Sequence, residues 1–135
     1  MKGGERLVSL KDVIAKEKAI TVEHDTPISQ VAKIMKEKNI DSVLVLKEDK
    51  IVGIFTERDL VKTIADNVSL NEPVSNYMST KLITAKIDEP IVAVAYKMVE
   101  GNIRHLPITN EQGNLLGVVN IKDVLSLVLA SGAWP

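Results

Sequence analysis

Two segments of this chain place a glycine, a small polar residue and an acid at the same spacing. They are Gly53, Thr56 and Asp59 in the first segment and Gly117, Asn120 and Asp123 in the second. Strand-forming residues precede each polar residue and a helix-like pattern follows it, which puts the acid in the first turn of a helix. Helix N-termini present unpaired N–H groups, and a carboxylate can accept hydrogen bonds from two neighbouring hydroxyls. These segments therefore predict sites for a small polar ligand that carries hydroxyls and phosphate.

The same residues also have a plainer explanation. Asp and Thr favour helix N-termini, so Thr56, Asp59 and Asp123 could simply cap helices. Arg58 and Lys122, which stand beside them, could be solvated charges, as most surface Lys and Arg are.

Composition bounds the class of protein. The chain has 135 residues, 45% of them apolar but only 3% aromatic, so we expect an aliphatic core. A net charge of −1 argues against bulk nucleic-acid binding. The absence of cysteine excludes disulfides and thiolate chemistry and fits a cytoplasmic protein. We find no signal core at the N-terminus and no apolar run long enough for a membrane span.

Catalytic and metal-binding patterns are missing as well. His24 and His105 lie far apart in the sequence and make no metal-ligand pair, and no nucleophile–base spacing occurs. The lysines at 33, 36 and 38 fall on the polar face of a predicted helix, where solvation explains them. The sequence therefore predicts neither an enzyme nor a metalloprotein.

The pattern predicts secondary structure in a fixed order. An amphipathic lead-in at 7–15 precedes a strand at 19–22, and Asp25-Thr26-Pro27 signals a helix with its proline in the first turn. This helix runs to about residue 38, where Asn39 suits a left-handed end. The remaining predicted elements are a strand at 43–46, a polar turn at 48–50, a strand at 51–55 and a helix at 57–66.

The whole order then repeats. With an offset of 63, Ile20, Pro27 and Met35 match Ile83, Pro90 and Met98; after one extra residue in the second hairpin turn, the offset is 64. We therefore predict an α+β fold of tandem β-α-β-β-α repeats, with a first repeat at 7–67, a connector at 68–77 and a second repeat at 78–130. Each repeat alone would have a marginal core, so we expect them to pack sheet to sheet around a pseudo-two-fold axis.

The combined pattern resembles a known family. Residues 20–28 read Ile-Thr-Val, four residues, Pro-Ile, and residues 53–60 read Gly, two apolar residues, Thr, two residues, Asp-Leu. This pattern, present twice, resembles CBS domains, and the tandem over about 7–130 resembles the Bateman module of small stand-alone CBS proteins. The resemblance implies regulatory binding of an adenosine-containing ligand (AMP, ADP, ATP or S-adenosylmethionine) in two clefts between the repeats, without catalysis or a required cofactor.

The resemblance also implies which residues would bind the ligand. In each cleft the acid would hold the ribose, the basic residues the phosphates, and apolar residues of the other repeat the base. The first cleft would combine Thr56, Arg58 and Asp59 with Met78, Lys81, Ile83, Ile103 and Arg104. The second would combine Asn120, Lys122 and Asp123 with Ala15, Ile20, Ile40 and Asp41, with His105 nearby. Because Asn120 replaces a hydroxyl residue and Asp41 stands where the second repeat has Arg104, we expect the first cleft to be the better nucleotide site.

Members of this family often dimerise through helix faces. For this chain the matching apolar stripes are Leu60, Val61 and Ile64 in the first repeat and Val124, Leu125 and Val128 in the second. We expect a homodimer and an effector protein that the sequence does not identify. The alternative function is a structural dimerisation module whose clefts bind no small molecule.

Overall fold

The computed structural model describes residues 9–14, 20–130 and 132. Among these, residues 20–82 form one compact unit, here called the first-repeat unit. Residues 9–14 together with 83–130 and 132 form the other, the second-repeat unit. Each unit contains a three-stranded sheet and two α-helices, which confirms the predicted α+β class and the order of elements. Ala15 and Trp134 lie outside the described residues.

The first-repeat unit follows the predicted order closely. Its elements are β1 (Thr21–Glu23), α1 (Ile28–Lys38), β2 (Ser42–Lys47), β3 (Lys50–Thr56) and α2 (Glu57–Ala65). Strand β2 is central, parallel to β1 and antiparallel to β3. The β2–β3 turn needs only Glu48 and Asp49, both at positive φ (52° and 66°), because the ladder extends to Lys47 and Lys50.

The second-repeat unit has the same topology with one shortened strand. Its elements are β4 (Ala85–Lys86), α3 (Ile91–Glu100), β5 (His105–Thr109), β6 (Leu115–Asn120) and α4 (Ile121–Ala130). Strand β4 begins one residue later than its match to β1 predicts. In the first repeat Leu44 donates its N–H to the Ile20 carbonyl at 3.1 Å. The equivalent of Leu44 is Pro107, which has no N–H, so this ladder bond cannot form.

Proline lies one position earlier at the helix starts than we predicted. Pro27 and Pro90 are the N-cap residues of α1 and α3, with extended backbone (φ −61° at both), rather than first-turn residues. A proline N-cap has no side-chain acceptor for the first N–H groups. In α1 the connector supplies it, because Ile28 donates to the Glu72 carbonyl at 3.0 Å and Ser29 to the Leu70 carbonyl at 2.9 Å.

The ends of α1 and α3 confirm the expected left-handed residue. Asn39 follows α1 at φ 54°, and Asn102 lies two residues after the end of α3 at φ 52°. At both ends the next residue donates its N–H back into the helix, Ile40 to Met35 at 3.0 Å and Ile103 to Met98 at 2.8 Å. Asparagine tolerates this conformation better than most residues, which explains its presence in both repeats.

Each unit has its own aliphatic core, as the composition predicts. Phe55, Val31 and Val45 are fully buried in the first-repeat unit, and Leu106, Ile108 and Val119 in the second. The two helix methionines, Met35 and Met98, are buried in these cores as well.

Helix α2 leaves most of its apolar stripe exposed. Leu60 packs against the core, but Val61 is 64% exposed, Ile64 is 58% exposed and Ala65 is also exposed. The buried residue is Thr63, whose hydroxyl donates to the Leu60 carbonyl at 2.6 Å. A threonine can occupy this inward position because the helix backbone satisfies its only donor.

The lead-in and the connector each pack into one unit. Leu10, in a 3₁₀ turn at Leu10–Asp12, is fully buried in the core of the second-repeat unit, although we grouped the lead-in with the first repeat. Val74, in the connector, is fully buried in the first-repeat unit. The segment just after the connector pairs with β3, since Ile54 and Ser79 exchange two backbone hydrogen bonds of 2.9 and 2.8 Å. The pattern shows that these segments are amphipathic but not which sheet they cover.

The segments that pack across β3 and β6 explain why both motifs have a glycine at the same place. A Cβ on Gly53 would lie 2.7 Å from Met78 Cγ and 2.9 Å from the Ser79 carbonyl oxygen. A Cβ on Gly117 would lie 2.8 Å from Ile14 Cγ1. Because Gly53 and Gly117 have no side chain, a second segment can pack directly on each strand.

Within the described residues, no helix is long and apolar enough to span a membrane.

Candidate functional site

The first helix start is a closed capping box. Strand β3 ends at Thr56 and α2 begins at Glu57. Asp59 Oδ2 accepts hydrogen bonds from Thr56 N at 3.0 Å and from Thr56 Oγ1 at 3.1 Å, while Asp59 N donates to Thr56 Oγ1 at 3.3 Å. Thr56 and Asp59 therefore do cap the helix, as helix-start preferences alone predict. The cap uses only Oδ2, and within the described residues Oδ1 has no hydrogen bond.

The second helix start has a different arrangement. Asn120 Oδ1 accepts a 2.7 Å hydrogen bond from Lys122 N, and Asn120 Nδ2 lies 3.4 Å from His105 Nε2. Because the amide oxygen faces a donor, the amide nitrogen is the group that faces His105. Asp123 is exposed, and no side chain or backbone group among the described residues hydrogen-bonds its carboxylate.

A backbone hydrogen bond joins the first residue of α2 and of α4 to the residue just before the neighbouring strand. Glu57 donates to the Asp41 carbonyl at 3.0 Å in the first-repeat unit, and Ile121 donates to the Arg104 carbonyl at 2.9 Å in the second. Asp41 therefore lies beside the helix start that contains Asp59, and Arg104 beside the one that contains Asp123. Both are exposed residues on equivalent positions, so the two helix starts differ in local charge.

Ile83 and Ile103 come together in the second-repeat unit. The point where a Cβ on Gly101 would lie is 3.1 Å from Ile83 Cδ1 and 2.8 Å from Ile103 Cδ1. Ile83 is 42% exposed, so part of its side chain is available for contact with a flat apolar ring. Their first-repeat equivalents, Ile20 and Ile40, instead pack against the core.

Met78 and Lys81, which we assigned to the second repeat, pack in the first-repeat unit, the unit that contains Thr56 and Asp59. Met78 covers Gly53 and is partly buried against that core. Lys81 is exposed, and its N–H donates to Ser79 Oγ at 3.3 Å. Arg58 and Lys122 are exposed beside their helix starts, and Ala15 lies outside the described residues.

The two groups with shifted pKa values, Tyr77 and Glu89, belong to neither the α2 nor the α4 helix start. The Tyr77 hydroxyl donates to Glu72 at 3.0 Å, and this bond raises the pKa of Tyr77. Glu89 accepts from Lys97 Nζ at 2.8 Å and from Lys86 N at 2.8 Å. Burial would raise the Glu89 pKa, but these bonds outweigh it and lower the pKa. Among residues 9–14, 20–130 and 132, no group of three His, Asp or Glu could hold a metal ion.

Sequence reasoning missed one residue of interest, Gly101. Its missing side chain makes room for Ile83 and Ile103. The available signal was the repeat itself, because the equivalent residue of the first repeat is Lys38.

A family model for the CBS domain matches this chain twice, over residues 8–66 and 74–130. The chain belongs to the CBS-domain family. It is a CBS pair, and both helix starts described above fall within a matched domain.

Relatives of this CBS pair differ in how much of their length it covers. An uncharacterized 17.7 kDa protein of Acidianus ambivalens is 36% identical, over 86% of this chain and 71% of its own length. By contrast, this chain spans only 24% of a homoserine O-acetyltransferase of Methanococcus vannielii, at 32% identity.

Solved structures show the same fold. The CBS domain pair of protein MJ0100, in complex with 5′-methylthioadenosine and S-adenosyl-L-methionine, is 31% identical, with a TM-score of 0.71 over 93% of this chain and 98% of that one. The CBS domain protein PAE2072 from Pyrobaculum aerophilum, complexed with AMP, has a TM-score of 0.75 at 21% identity and covers 93% and 99%. At that identity the second comparison bears on the fold alone.

Proposed function

We propose that this CBS pair is a cytoplasmic regulatory module that binds an adenosine-containing ligand. The observation that carries the proposal is the Thr56–Asp59 capping box, which leaves one oxygen of a fixed carboxylate for ribose hydroxyls. The MJ0100 CBS pair supports it, because two adenosine-containing molecules are named in that complex and the likeness covers nearly the whole of both chains.

The other proposed contacts follow the chemistry of such a ligand. Arg58, exposed one residue before Asp59, would donate charge-assisted hydrogen bonds to phosphate. Ile83 and Ile103 would contact the purine, since they lie close together and Ile83 is exposed. The roles of Met78, Lys81, Arg104, Ile20, Ile40, His105, Asn120, Lys122 and Asp123 stay predictions.

The module would regulate rather than catalyse. A ligand shifts an equilibrium only when it binds two conformational states with different affinities. The output would then pass to a partner protein or to a second copy of the chain.

We propose self-association through the exposed surface of α3 and α4, here called the α3/α4 face. These helices pack against each other, and each exposes large apolar residues. They are Val92, Tyr96 and Val99 on α3 and Leu125 and Leu129 on α4. Two residues of the stripe predicted from sequence, Val124 and Val128, are instead buried in the core.

Charge favours a second copy as the occupant of the α3/α4 face. The equivalent positions of the first repeat include Lys33 and Lys36, both exposed. Docking the apolar face there would desolvate ammonium groups, which is costly without partners. Docking the α3/α4 face on the same face of a second copy would avoid this cost, because the exposed apolar residues of one copy would contact those of the other.

Calorimetric titration of nucleotide-free protein with AMP, ADP, ATP and S-adenosylmethionine tests the ligand proposal. We expect one of them to bind at about micromolar strength, and Asp59→Ala to abolish binding. Asp123→Ala is the matched control in the second repeat. If no ligand binds, the protein is better explained as a dimerisation module, and if only Asp123→Ala matters, the wrong helix start was chosen.

Sedimentation of Tyr96→Glu against Lys33→Glu tests the self-association proposal. These positions are equivalent in the two repeats. We expect wild type and Lys33→Glu to sediment as dimers and Tyr96→Glu as a monomer. A dimer that survives Tyr96→Glu would rule out the α3/α4 face.

A further inference from the structure

We infer that residues 9–14, here called the N-terminal strap, bind the second-repeat unit exchangeably, and that the strap of a second copy of this chain takes the same place. The surface that receives the strap is strand β6 at Gly117 together with the core beside it. The product is a strap-exchanged dimer. It is distinct from self-association through the α3/α4 face, and it does not depend on any ligand.

The N-terminal strap and part of the connector are equivalent segments of the two repeats. Their 3₁₀ turns, Leu10–Asp12 and Val74–Asn76, are 64 residues apart, which is the offset that relates the two motif glycines. The first residue of each turn is fully buried, Leu10 in the second-repeat unit and Val74 in the first-repeat unit. The two segments can therefore be compared position by position.

Backbone hydrogen bonds fix the connector segment but not the strap. Val74 and Ser75 donate their N–H groups to carbonyls of the residues between β1 and α1, at 2.8 and 3.1 Å. Among the described residues, the equivalent N–H groups, those of Leu10 and Lys11, make no such bond to the segment between β4 and α3. A segment with fewer backbone bonds to its surroundings opens at a lower free energy. The strap is therefore the more easily released of the two.

Apolar side chains attach the strap to its unit. Leu10 is fully buried, and Val13 and Ile14 pack against the same core. If the strap left, the space of a whole leucine side chain would be empty, and cavities of this kind are strongly destabilising. Release is therefore favourable only when another apolar segment of the same shape fills the space.

The strap also carries its own internal hydrogen bonds. Ser9 N donates to Asp12 Oδ2 at 3.0 Å, and Val13 N and Ile14 N both donate to the Leu10 carbonyl at 3.1 Å. These bonds join residues of the strap to one another, so they survive when the strap moves as one body. A strap that arrives from a second copy brings the same turn already formed.

A second copy of the chain is the occupant that fits this surface. Its strap has the same sequence and makes the same contacts, so exchange leaves the core of each second-repeat unit unchanged. Exchange of an identical element between copies is a low-cost route to a dimer for this reason. Only the connection from the strap to the first-repeat unit differs between the monomer and the dimer.

A disulfide can record which copy a strap occupies. A Cβ on Gly117 would lie 3.7 Å from Ile14 Cβ, and disulfides join Cβ atoms about 3.5–4.5 Å apart. The chain has no cysteine of its own, so Ile14→Cys/Gly117→Cys gives a single defined pair. This double variant is made together with Tyr96→Glu, which disrupts the α3/α4 face. It is refolded from urea at several protein concentrations, oxidised and analysed on a non-reducing gel.

We expect two products, a covalent monomer whose strap lies in its own unit and a covalent dimer whose straps are exchanged. Because exchange joins two copies, tenfold dilution before oxidation should lower the ratio of dimer to monomer by up to about tenfold. Adding Leu10→Asp should abolish the covalent dimer, because the strap binds through this buried side chain. Lys11→Asp is the matched control at the exposed neighbouring position and should leave both products unchanged.

The other outcomes overturn the inference. A covalent monomer alone at every concentration shows that the strap does not exchange. A covalent dimer that persists with Leu10→Asp shows that the disulfide reports random collision of copies. If neither product forms, Ile14 does not lie on Gly117 and the inference fails as well. None of these results bears on the proposed ligand binding, which calorimetry tests separately.

Discussion

Gly53→Ala should destabilise the first-repeat unit, although glycine to alanine in a strand is usually favourable. The new Cβ would lie 2.7 Å from Met78 Cγ and 2.9 Å from the Ser79 carbonyl oxygen, well inside ordinary contact distances of about 3.5–4.0 Å. The Met78 side chain can rotate away. The Ser79 carbonyl cannot move freely, because Ile54 and Ser79 exchange two backbone hydrogen bonds.

The magnitude follows from these contacts. Overpacking of this kind costs about 1–3 kcal/mol, and loosening two backbone hydrogen bonds adds about 1 kcal/mol. The reduced entropy of the unfolded chain returns about 0.4–1 kcal/mol. We therefore expect a net loss of about 1–3 kcal/mol.

Urea unfolding of wild type, Gly53→Ala and Gly117→Ala measures this loss. At Gly117 the nearest atoms among the described residues belong to the Ile14 side chain, which can shift, so we expect a cost smaller by about 1 kcal/mol. Adding Met78→Ala to Gly53→Ala should restore only part of the stability, because the clash with the Ser79 carbonyl remains. Equal costs at the two glycines, or full recovery in the double variant, would show that the backbone crossing does not constrain Gly53.

Three further predictions concern turns and charge. Asp49→Gly should raise the free energy of unfolding by about 0.5–1 kcal/mol, because Asp49 has a φ of 66° that glycine adopts without strain. A lower urea midpoint in this variant would contradict the prediction. Asn110→Ala should cost about 1–2 kcal/mol by the same measurement, because Asn110 Oδ1 accepts two backbone hydrogen bonds of the β5–β6 loop, at 3.0 and 2.9 Å. Glu89 has a pKa below its ordinary 4.5, since the bonds from Lys97 and a backbone N–H outweigh the opposite effect of burial. Its carboxylate therefore stabilises the fold above about pH 4.5 and loses that effect as the pH falls through the folded-state pKa. Thermal unfolding of wild type and Glu89→Gln should differ at pH 7 and converge as the pH falls below that pKa.

The sequence was informative wherever a pattern has one structural solution. The spacing of Val31 and Met35 predicted the buried face of α1, and asparagine at position 39 predicted the left-handed helix end. The 63- and 64-residue offsets predicted that both repeats share one topology, which the two sheets confirm.

Prediction failed where the outcome depends on contacts distant in sequence. In α2 the sequence shows an apolar stripe at Leu60, Val61 and Ile64, but not that Leu60 and Thr63 are the residues turned toward the core while Val61 and Ile64 stay exposed. At the candidate site, spacing located Thr56 and Asp59 and assigned Met78 to the second repeat, which agrees with the second domain match at 74–130. It did not predict that Met78 packs in the first-repeat unit, because the sequence does not reveal which sheet a crossing segment covers.

The packing of Leu10 has a consequence for protein synthesis. Domains fold as they emerge from the ribosome, N-terminal residues first. The core of the first-repeat unit lies within residues 20–82, so it is complete before the second repeat is made. Leu10 is made earlier still, yet its core partners lie between Ala85 and Val128. Leu10 therefore stays without its core partners until the second repeat has been synthesised, and removing the segment around Leu10 would disturb the second-repeat unit before the first.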